Sequence, residues 1–155
     1  MLLKSIHHVA IIVSDYEKSK HFYSVILGLK IVAEHFRKER NSYKLDLAVN
    51  EVYQIELFSF PSPPLRLSFP EATGLRHLAF SVENLEEVLK HLKKFNVTTE
   101  TIRVDEFTGK RFTFFLDPDG LPIELYEFQL NTVEGNLHSA CLIQNFPSTT
   151  NVMFK

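Results

Sequence analysis

Four residues recur as two pairs along the chain, and all four have side chains that bind metal ions. His8 precedes Glu56 by almost the same interval that separates His77 from Glu124. Two imidazoles and two carboxylates form a complete ligand set for one divalent ion, and the two negative charges neutralise that ion. Without a cation, two partly buried glutamates that face each other would repel. The residue types and their spacing therefore predict a metal site made of His8, Glu56, His77 and Glu124.

The composition of this ligand set also predicts which ions it binds. Four ligands of mixed nitrogen and oxygen type leave positions open on an ion that accepts five or six ligands. Open positions allow a substrate to bind the ion. We therefore expect one divalent ion per site, Ni, Co, Zn, Mn or Fe, rather than a closed structural zinc site.

The same four residues mark an internal duplication of the chain. Each histidine opens an apolar segment, and each glutamate stands between an isoleucine and a leucine. The matching segments are IHHVAIIVSD at 6–15 with LRHLAFSVEN at 75–84, and YQIELFSF at 53–60 with LPIELYEF at 121–128. Such self-similarity indicates two copies of one structural unit.

The pattern within each copy predicts the elements that position the ligands. Apolar residues alternate after each histidine and around each glutamate, which is typical of strands that turn one face to helices and the ligand to the other face. Asp15 and Asn84 then act as N-cap residues for helices over 16–28 and 85–96. Further strands are predicted at 29–36, 43–49, 97–104 and 111–116, and DPDG should fold the last of these back as a hairpin.

Each copy therefore has the order β-α-β-β-β, and the expected fold class is α+β. A unit of this size cannot easily bury both faces of its own sheet, so two units should form one curved mixed sheet with helices outside. We expect one domain over 1–128, with module one at 4–60, a proline-rich linker at 61–70 and module two at 71–128.

Composition excludes several classes of partner. The formal net charge is -2, which provides no basic surface for nucleic acid or for an anionic membrane. The single cysteine, Cys141, is typical of a reducing compartment, and the amino terminus lacks the features of a signal peptide. We expect a soluble cytoplasmic protein that binds neither nucleic acid nor membranes.

Each proposed ligand has a simpler explanation when it is taken alone. A strand histidine is usually hydrogen bonded in a core, which applies to His8 and His77 separately. Glu56 alone has the alternative of an ion pair with Lys44 or Arg111. The duplication favours the metal site because it brings all four residues into register.

The segments HHVAIIVSD, QIELFSF, LRHLAFSVEN and DPDGLPIELYE carry a family resemblance. Over roughly residues 4–128 the chain resembles the vicinal oxygen chelate superfamily. That superfamily contains glyoxalase I, the bleomycin-resistance proteins, the fosfomycin-resistance thiol transferases and the extradiol dioxygenases. The chain is most similar to the small bacterial glyoxalase-like proteins of this group.

This resemblance implies paired modules, a homodimer, a divalent metal in a concave cavity and a small-molecule substrate. All four positions of the glyoxalase I ligand pattern are present as His8, Glu56, His77 and Glu124, whereas the thiol transferases and dioxygenases typically use two histidines and one glutamate. The resemblance therefore implies a metal-dependent lyase or isomerase similar to lactoylglutathione lyase. Both a site within one chain and a site across the dimer use the same four residues, so this point stays open.

Two departures argue against glutathione as the thiol. Ile12 stands where glutathione-dependent relatives commonly have an arginine, and Phe60 stands where they often have an asparagine. A small carbonyl compound or another thiol adduct is the expected substrate. For the reaction we predict Glu124 as the base that removes a proton and Glu56 as its partner.

Two other functions remain as alternatives. One is a metal-dependent thiol transferase or dioxygenase of the same superfamily. The other is a non-catalytic small-molecule-binding protein, against which the complete ligand set argues. Residues 129–155 lie outside the duplication, and their role is not predicted; an added strand, a dimer contact and a disordered tail are equal alternatives.

Overall fold

The computed structural model describes residues 2–128 and shows eight strands and two α-helices within that range. In chain order these elements are β1 (Val9–Val13), α1 (Tyr16–His21), β2 (Lys30–Arg37), β3 (Ser42–Val49), β4 (Val52–Ser59), β5 (Leu78–Val82), α2 (Leu85–Lys94), β6 (Arg103–Val104), β7 (Arg111–Leu116) and β8 (Pro122–Glu127). A π-helical turn, Phe22–Ile26, continues α1, and a short 3-10 helix, Lys38–Arg40, connects β2 to β3. Each half thus has the order strand, helix and three strands that the duplication predicts.

The two halves form two mixed sheets of the same design. The strand order is β1-β4-β3-β2 in the first sheet and β5-β8-β7-β6 in the second. In each sheet the first strand runs parallel to the last strand of its module, and the other neighbours are antiparallel. The α+β fold class with two β-α-β-β-β modules is confirmed. Within residues 2–128, however, no strand of one sheet pairs with a strand of the other.

Both helices begin after the residues that the sequence predicts as caps. Asp15 Oδ1 accepts a hydrogen bond from the amide of Lys18 at 3.1 Å, and Asn84 Oδ1 accepts one from the amide of Glu87 at 3.2 Å. These bonds satisfy amide groups that have no partner inside the first turn of a helix. Each cap therefore fixes the point at which the chain leaves its sheet.

One face of each sheet is apolar and packs against the helices. In the first module Leu45, Leu47 and Leu57 are fully buried, as is the ring of Tyr23 from the π-helical turn. Burial of one such leucine contributes about 1.5–3 kcal/mol. Because successive strand residues point to opposite faces, the residues that alternate with these leucines point away from the core. Buried side chains of the second module include Leu85, Leu92, Phe115, Ile123 and Leu125.

The strand predicted at 97–104 is shorter than expected, because only Arg103–Val104 form β6. Thr99 makes an isolated bridge with Phe115. The amide of Glu100 donates to the Phe114 carbonyl at 2.8 Å, and the Glu100 carbonyl accepts the hydroxyl of Thr113 at 2.9 Å. This segment thus contacts β7 through single bonds rather than a continuous ladder, which alternation of apolar residues does not reveal.

Contacts of the β1–α1 turn and of the π-helical turn with the β7–β8 hairpin join the modules. The amide of Ser14 donates to Asp119 Oδ2 at 3.1 Å, and the side chains of Phe22 and Phe115 pack together in one core. The linker between β4 and β5 is described throughout and contains no helix or strand. The expected domain boundaries remain a prediction. The segment 129–155, with Cys141, lies outside the described residues.

Candidate metal centre

Strands β1 and β4 bring His8 beside Glu56. They run parallel with Ala10 opposite Glu56, so the residue two positions before Ala10 lies next to this carboxylate on the same face. The distance from His8 Nε2 to Glu56 Oε2 is 3.6 Å. His7 Nδ1 lies 2.9 Å from His8 Nδ1, and Nε2 is therefore the His8 nitrogen that faces the glutamate.

Strands β5 and β8 repeat this arrangement with His77 and Glu124. Ala79 stands opposite Glu124 in the same parallel register, and His77 Nε2 lies 3.1 Å from Glu124 Oε2. Both carboxylates are mostly shielded from solvent, because only 10% of the Glu56 side chain and 13% of the Glu124 side chain are exposed. Each module thus presents one histidine–glutamate pair.

The distances within the pairs suit a shared divalent ion. Two donors that each lie about 2.1 Å from an ion, at angles of roughly 90–110°, are themselves roughly 3.0–3.5 Å apart. The distance between His77 and Glu124 falls in this range, and that between His8 and Glu56 lies just above it. Each pair also supplies one imidazole nitrogen and one carboxylate, which first-row divalent metals accept. Each pair fits as half of a metal site.

The described part of one chain does not bring the two pairs together. Among residues 2–128, no group of three or more histidine, cysteine, aspartate or glutamate side chains is placed to hold a metal ion. The four predicted ligands therefore occur as two separate pairs rather than as one cluster. The buried Nδ1 atom of His77 has no hydrogen-bond partner in this range, although buried polar atoms are nearly always paired. This atom is not the ring nitrogen that faces Glu124, which is Nε2.

The two pairs have different neighbours on their sheets. Lys44 Nζ lies 2.9 Å from Glu56 Oε1 and donates to Asp46 Oδ1 at 2.7 Å. This confirms the ion pair with Lys44 that the sequence offers as an alternative role for Glu56. In the second sheet Phe114 lies opposite Glu124, at the position that Asp46 has opposite Glu56. The first pair thus lies beside charged groups and the second beside an aromatic ring.

The other alternative partner of Glu56, Arg111, is bound elsewhere. Its guanidinium donates to the two carboxylate oxygens of Glu127 at 2.6 and 2.7 Å and also contacts Glu86. Hydrogen bonds from Arg111 are the main cause that lowers the pKa of Glu127. The interpretation in which Arg111 pairs with Glu56 is therefore wrong.

A buried tyrosine–aspartate contact links the modules, and the sequence analysis did not predict it. Tyr23 donates its hydroxyl to Asp117 Oδ2 at 2.8 Å, and Asp117 Oδ1 accepts bonds from the amides of Asp119 and Leu121 at 2.9 and 2.8 Å. Burial raises the pKa of Asp117, while these hydrogen bonds act in the opposite direction. The DPDG turn was the available signal, and a turn does not reveal a partner elsewhere in the chain.

A cavity of about 730 Å³ opens beside the second pair. His77 lines it, and so does Phe114, whose ring contacts the imidazole edge to face with centroids 5.4 Å apart. Leu67 and Phe69 of the linker also line it. Small-molecule sites have volumes of roughly 300–1,000 Å³. The second pair therefore adjoins a space of the size that a small ligand needs.

Comparison with known protein families identifies the class to which this fold and these pairs belong. Residues 5–125 match the Glyoxalase/Bleomycin resistance protein/Dioxygenase superfamily, and the chain belongs to that superfamily. The resemblance drawn from the sequence motifs is thereby confirmed. Members are usually metal-dependent enzymes that bind a divalent metal and a small-molecule substrate.

Similar proteins agree with this assignment. The uncharacterized Bacillus subtilis protein YwkD is 62% identical over 127 residues, which cover 82% of this chain and 99% of that protein. The crystal structure of a glyoxalase family protein from Enterococcus faecalis has 52% identity and a TM-score of 0.75, and the match covers 82% of this chain and 100% of that one.

More distant relatives have named activities. The metallothiol transferase FosB of Staphylococcus saprophyticus is 34% identical over 131 residues, which cover 81% of this chain and 78% of that protein. A lactoylglutathione lyase of Escherichia coli is 32% identical over 129 residues, which cover 77% of this chain and 90% of that protein.

Across residues 2–128, no helix has the length and apolar character needed to cross a membrane.

Proposed function

We propose that this protein is a divalent-metal-dependent lyase or isomerase of the glyoxalase type, acting on a small carbonyl compound or a thiol adduct in the cytoplasm. The observation that carries this proposal is the repetition of one histidine–glutamate pair at equivalent positions of two sheets, with donor distances of 3.6 and 3.1 Å. Ile12 and Phe60 at the positions of the glutathione-binding residues favour a substrate that does not contain glutathione.

The complete site would contain His8, Glu56, His77 and Glu124 with two copies of the chain contributing one pair each. The two pairs belong to sheets that share no ladder within residues 2–128, and neither pair has a third ligand there. A symmetric dimer would supply the missing pair at each of two identical sites.

The two glutamates would have different roles in the reaction. When bound, the ion supplies Lewis acidity that polarises substrate oxygens. Lys44 places a positive charge against Glu56, and a neighbouring cation stabilises an ionised carboxylate. No lysine or arginine within residues 2–128 forms an ion pair with Glu124, which favours this residue as the base that accepts the substrate proton. Glu56 is its partner, and the two histidines hold the site together.

A metal-dependent thiol transferase is the second candidate. The relationship to FosB at 34% identity favours it, since that relative is a metallothiol transferase. Thiol transfer would use the same residues around the site. The two functions differ in the product. A transferase joins the thiol and the substrate in a new stable compound, whereas an isomerase releases the rearranged adduct of the thiol carrier.

Metal titration into the stripped protein tests the proposal, followed by assays of 2-oxoaldehydes with several thiols. Wild-type protein should bind about one Ni, Co, Zn, Mn or Fe ion per chain, and a Glu56→Ala variant should bind at least roughly tenfold more weakly, because loss of even an indirect metal contact has an effect of this size. Glu106→Gln, which changes an exposed glutamate away from both pairs, is the control. Absence of metal binding by the wild type would refute the proposal.

A Glu124→Gln variant tests the assignment of the base. The amide keeps the shape of the side chain and cannot take a proton, so turnover should fall by about 10²–10⁴-fold. Retention of both metal and full turnover would show that Glu124 is not the base.

A further inference from the structure

The cavity beside His77 has an apolar wall that is held in a fixed position. Ser68 donates its hydroxyl to the Gly120 carbonyl at 3.1 Å and so ties the linker to the β7–β8 hairpin. Arg66 Nε donates to the Ser68 hydroxyl at 3.1 Å, and Arg66 Nη2 donates to the Arg76 carbonyl at 3.3 Å. The linker thus contacts structure on both sides of the cavity. Leu67 and Phe69, which follow Arg66 and Ser68, line the cavity together with Phe114 and remain largely exposed, at 74% and 80%.

The charged groups that line this cavity do not balance. Arg103 and Glu100 pair with each other at 2.8 Å, and the buried carboxylate of Asp117 is used by Tyr23 and two backbone amides. The lining therefore has four cations against three carboxylates, namely Lys18, Arg66, Arg76 and Arg103 against Glu71, Glu100 and Asp117, which leaves one excess positive charge. Within residues 2–128, no carboxylate forms an ion pair with Arg66 or Arg76.

Arg76 is placed to hold an anion in this cavity. It lines the space, directly precedes His77 and is exposed, so its guanidinium is available to a ligand. Arg66 differs because two neutral acceptors, the Ser68 hydroxyl and the Arg76 carbonyl, already occupy some of its donors, which leaves its charge but fewer hydrogen bonds for a ligand. A guanidinium binds carboxylate, phosphate and phosphonate groups through two parallel hydrogen bonds.

We propose that this linker-walled cavity binds the substrate, and that the substrate is a small amphipathic anion whose oxyanion group is held by Arg76. Its apolar part lies between Phe114 and the linker residues Leu67 and Phe69. As a statement about the substrate of the reaction, this inference rests on the metal-dependent function proposed above. As a statement about a binding site, it can be tested without metal.

Titration of phenylphosphonate into the metal-stripped protein at constant ionic strength tests the inference by calorimetry. This probe combines a ring for the apolar wall with an oxyanion for Arg76, and benzyl alcohol provides the same ring without charge. Wild-type protein should bind phenylphosphonate, one molecule per chain, and bind benzyl alcohol at least tenfold more weakly. Failure of phenylphosphonate to bind, or equal binding of the two probes, would overturn the inference.

Variants then assign the site within the chain. Arg76→Gln should weaken phenylphosphonate binding at least tenfold, Arg76→Lys should retain part of it, and Phe69→Ala should weaken both probes. Arg40→Gln changes an exposed arginine that does not line the cavity and should bind as the wild type does. Wild-type affinity in Arg76→Gln would overturn the assignment.

Metal titration of Arg76→Gln separates this inference from the proposed function. Its metal affinity should equal that of the wild type, because Arg76 is not a proposed ligand. If the wild type binds phenylphosphonate through Arg76 but binds no metal, the cavity assignment stands and the metal-dependent function fails. If metal binds and phenylphosphonate does not, the function stands and the cavity assignment fails.

Discussion

At the scale of single residues, the two glutamates show how the same side chain can receive two environments from one duplicated fold. Glu56 contacts the ammonium group of Lys44, whereas Glu124 faces the ring of Phe114 across its strand pair. Both keep a histidine nitrogen within ligand-pair distance. Each glutamate thus keeps its histidine, while the other residues around the two glutamates differ. This arrangement is expected when two carboxylates of one site take different roles.

The contact between Tyr23 and Asp117 makes a prediction about stability at this scale. Tyr23→Phe removes the hydroxyl that donates to the buried carboxyl group of Asp117, and hydrogen bonds to such acidic groups contribute about 2 kcal/mol. The free energy of unfolding, measured by urea denaturation at neutral pH, should fall by about that amount. Tyr43→Phe removes a hydroxyl from a tyrosine that is 37% exposed, and should change the same quantity by less than about 0.5 kcal/mol.

The pH dependence of the Tyr23→Phe effect follows from the raised pKa of Asp117. A raised folded-state pKa means that the stability contributed by this group is complete below its unfolded value, near 3.8, and is lost as the pH rises through the folded value. Loss of the tyrosine donor raises the folded-state pKa of Asp117 further, so the variant loses more of its free energy of unfolding at neutral pH. The difference between wild type and variant should therefore shrink on acidification toward pH 3.8. A difference that grows on acidification would contradict this account.

At the scale of elements, the duplicated strand–cap–helix unit sets the position of both ligand pairs. Asn84 begins α2 by accepting the amide of Glu87, and replacement of such a cap by alanine costs about 1 kcal/mol. Asn84→Ala should lower the free energy of unfolding by this amount, and Asn84→Asp should keep it. Glu83→Ala, at the exposed position before the cap, is the control and should stay within about 0.5 kcal/mol. Equal effects of Asn84→Ala and Glu83→Ala would show that the cap does not stabilise α2.

The elements were predictable where local chemistry decides them. Alternating apolar residues located the strands that carry Glu56 and Glu124, and Asp15 and Asn84 located the helix starts, because these features act between near neighbours in the chain. The shortening of β6 was not predictable, since it depends on the single contacts that this segment makes with β7, such as the bond from the Thr113 hydroxyl to the Glu100 carbonyl. A contact of this kind depends on how strands are packed and leaves no pattern in the strand itself.

At the scale of the whole molecule, the sequence predicts the ligands but not how the modules meet. Duplication indicated four ligands at equivalent positions, and the structure pairs them within each module. The sequence contains no corresponding signal for the placement of one sheet relative to the other, because that placement depends on contacts such as those of Ser14 and Tyr23 with the turn between β7 and β8. The contribution of the linker to the cavity could not be predicted for the same reason, since a proline-rich segment indicates only a surface connection.

The arrangement of the site across two chains is the central claim, and metal analysis of a mixed dimer tests it most directly. His8→Ala removes a ligand from the first pair and His77→Ala removes one from the second, so dimers of either variant alone should contain little metal. A dimer of one His8→Ala chain and one His77→Ala chain, purified through two affinity tags that do not bind metal, should regain one intact site. We predict half the metal content of wild-type protein in this mixed dimer; a mixed dimer as poor in metal as its parents, beside a wild type that binds metal, would contradict a site shared between chains.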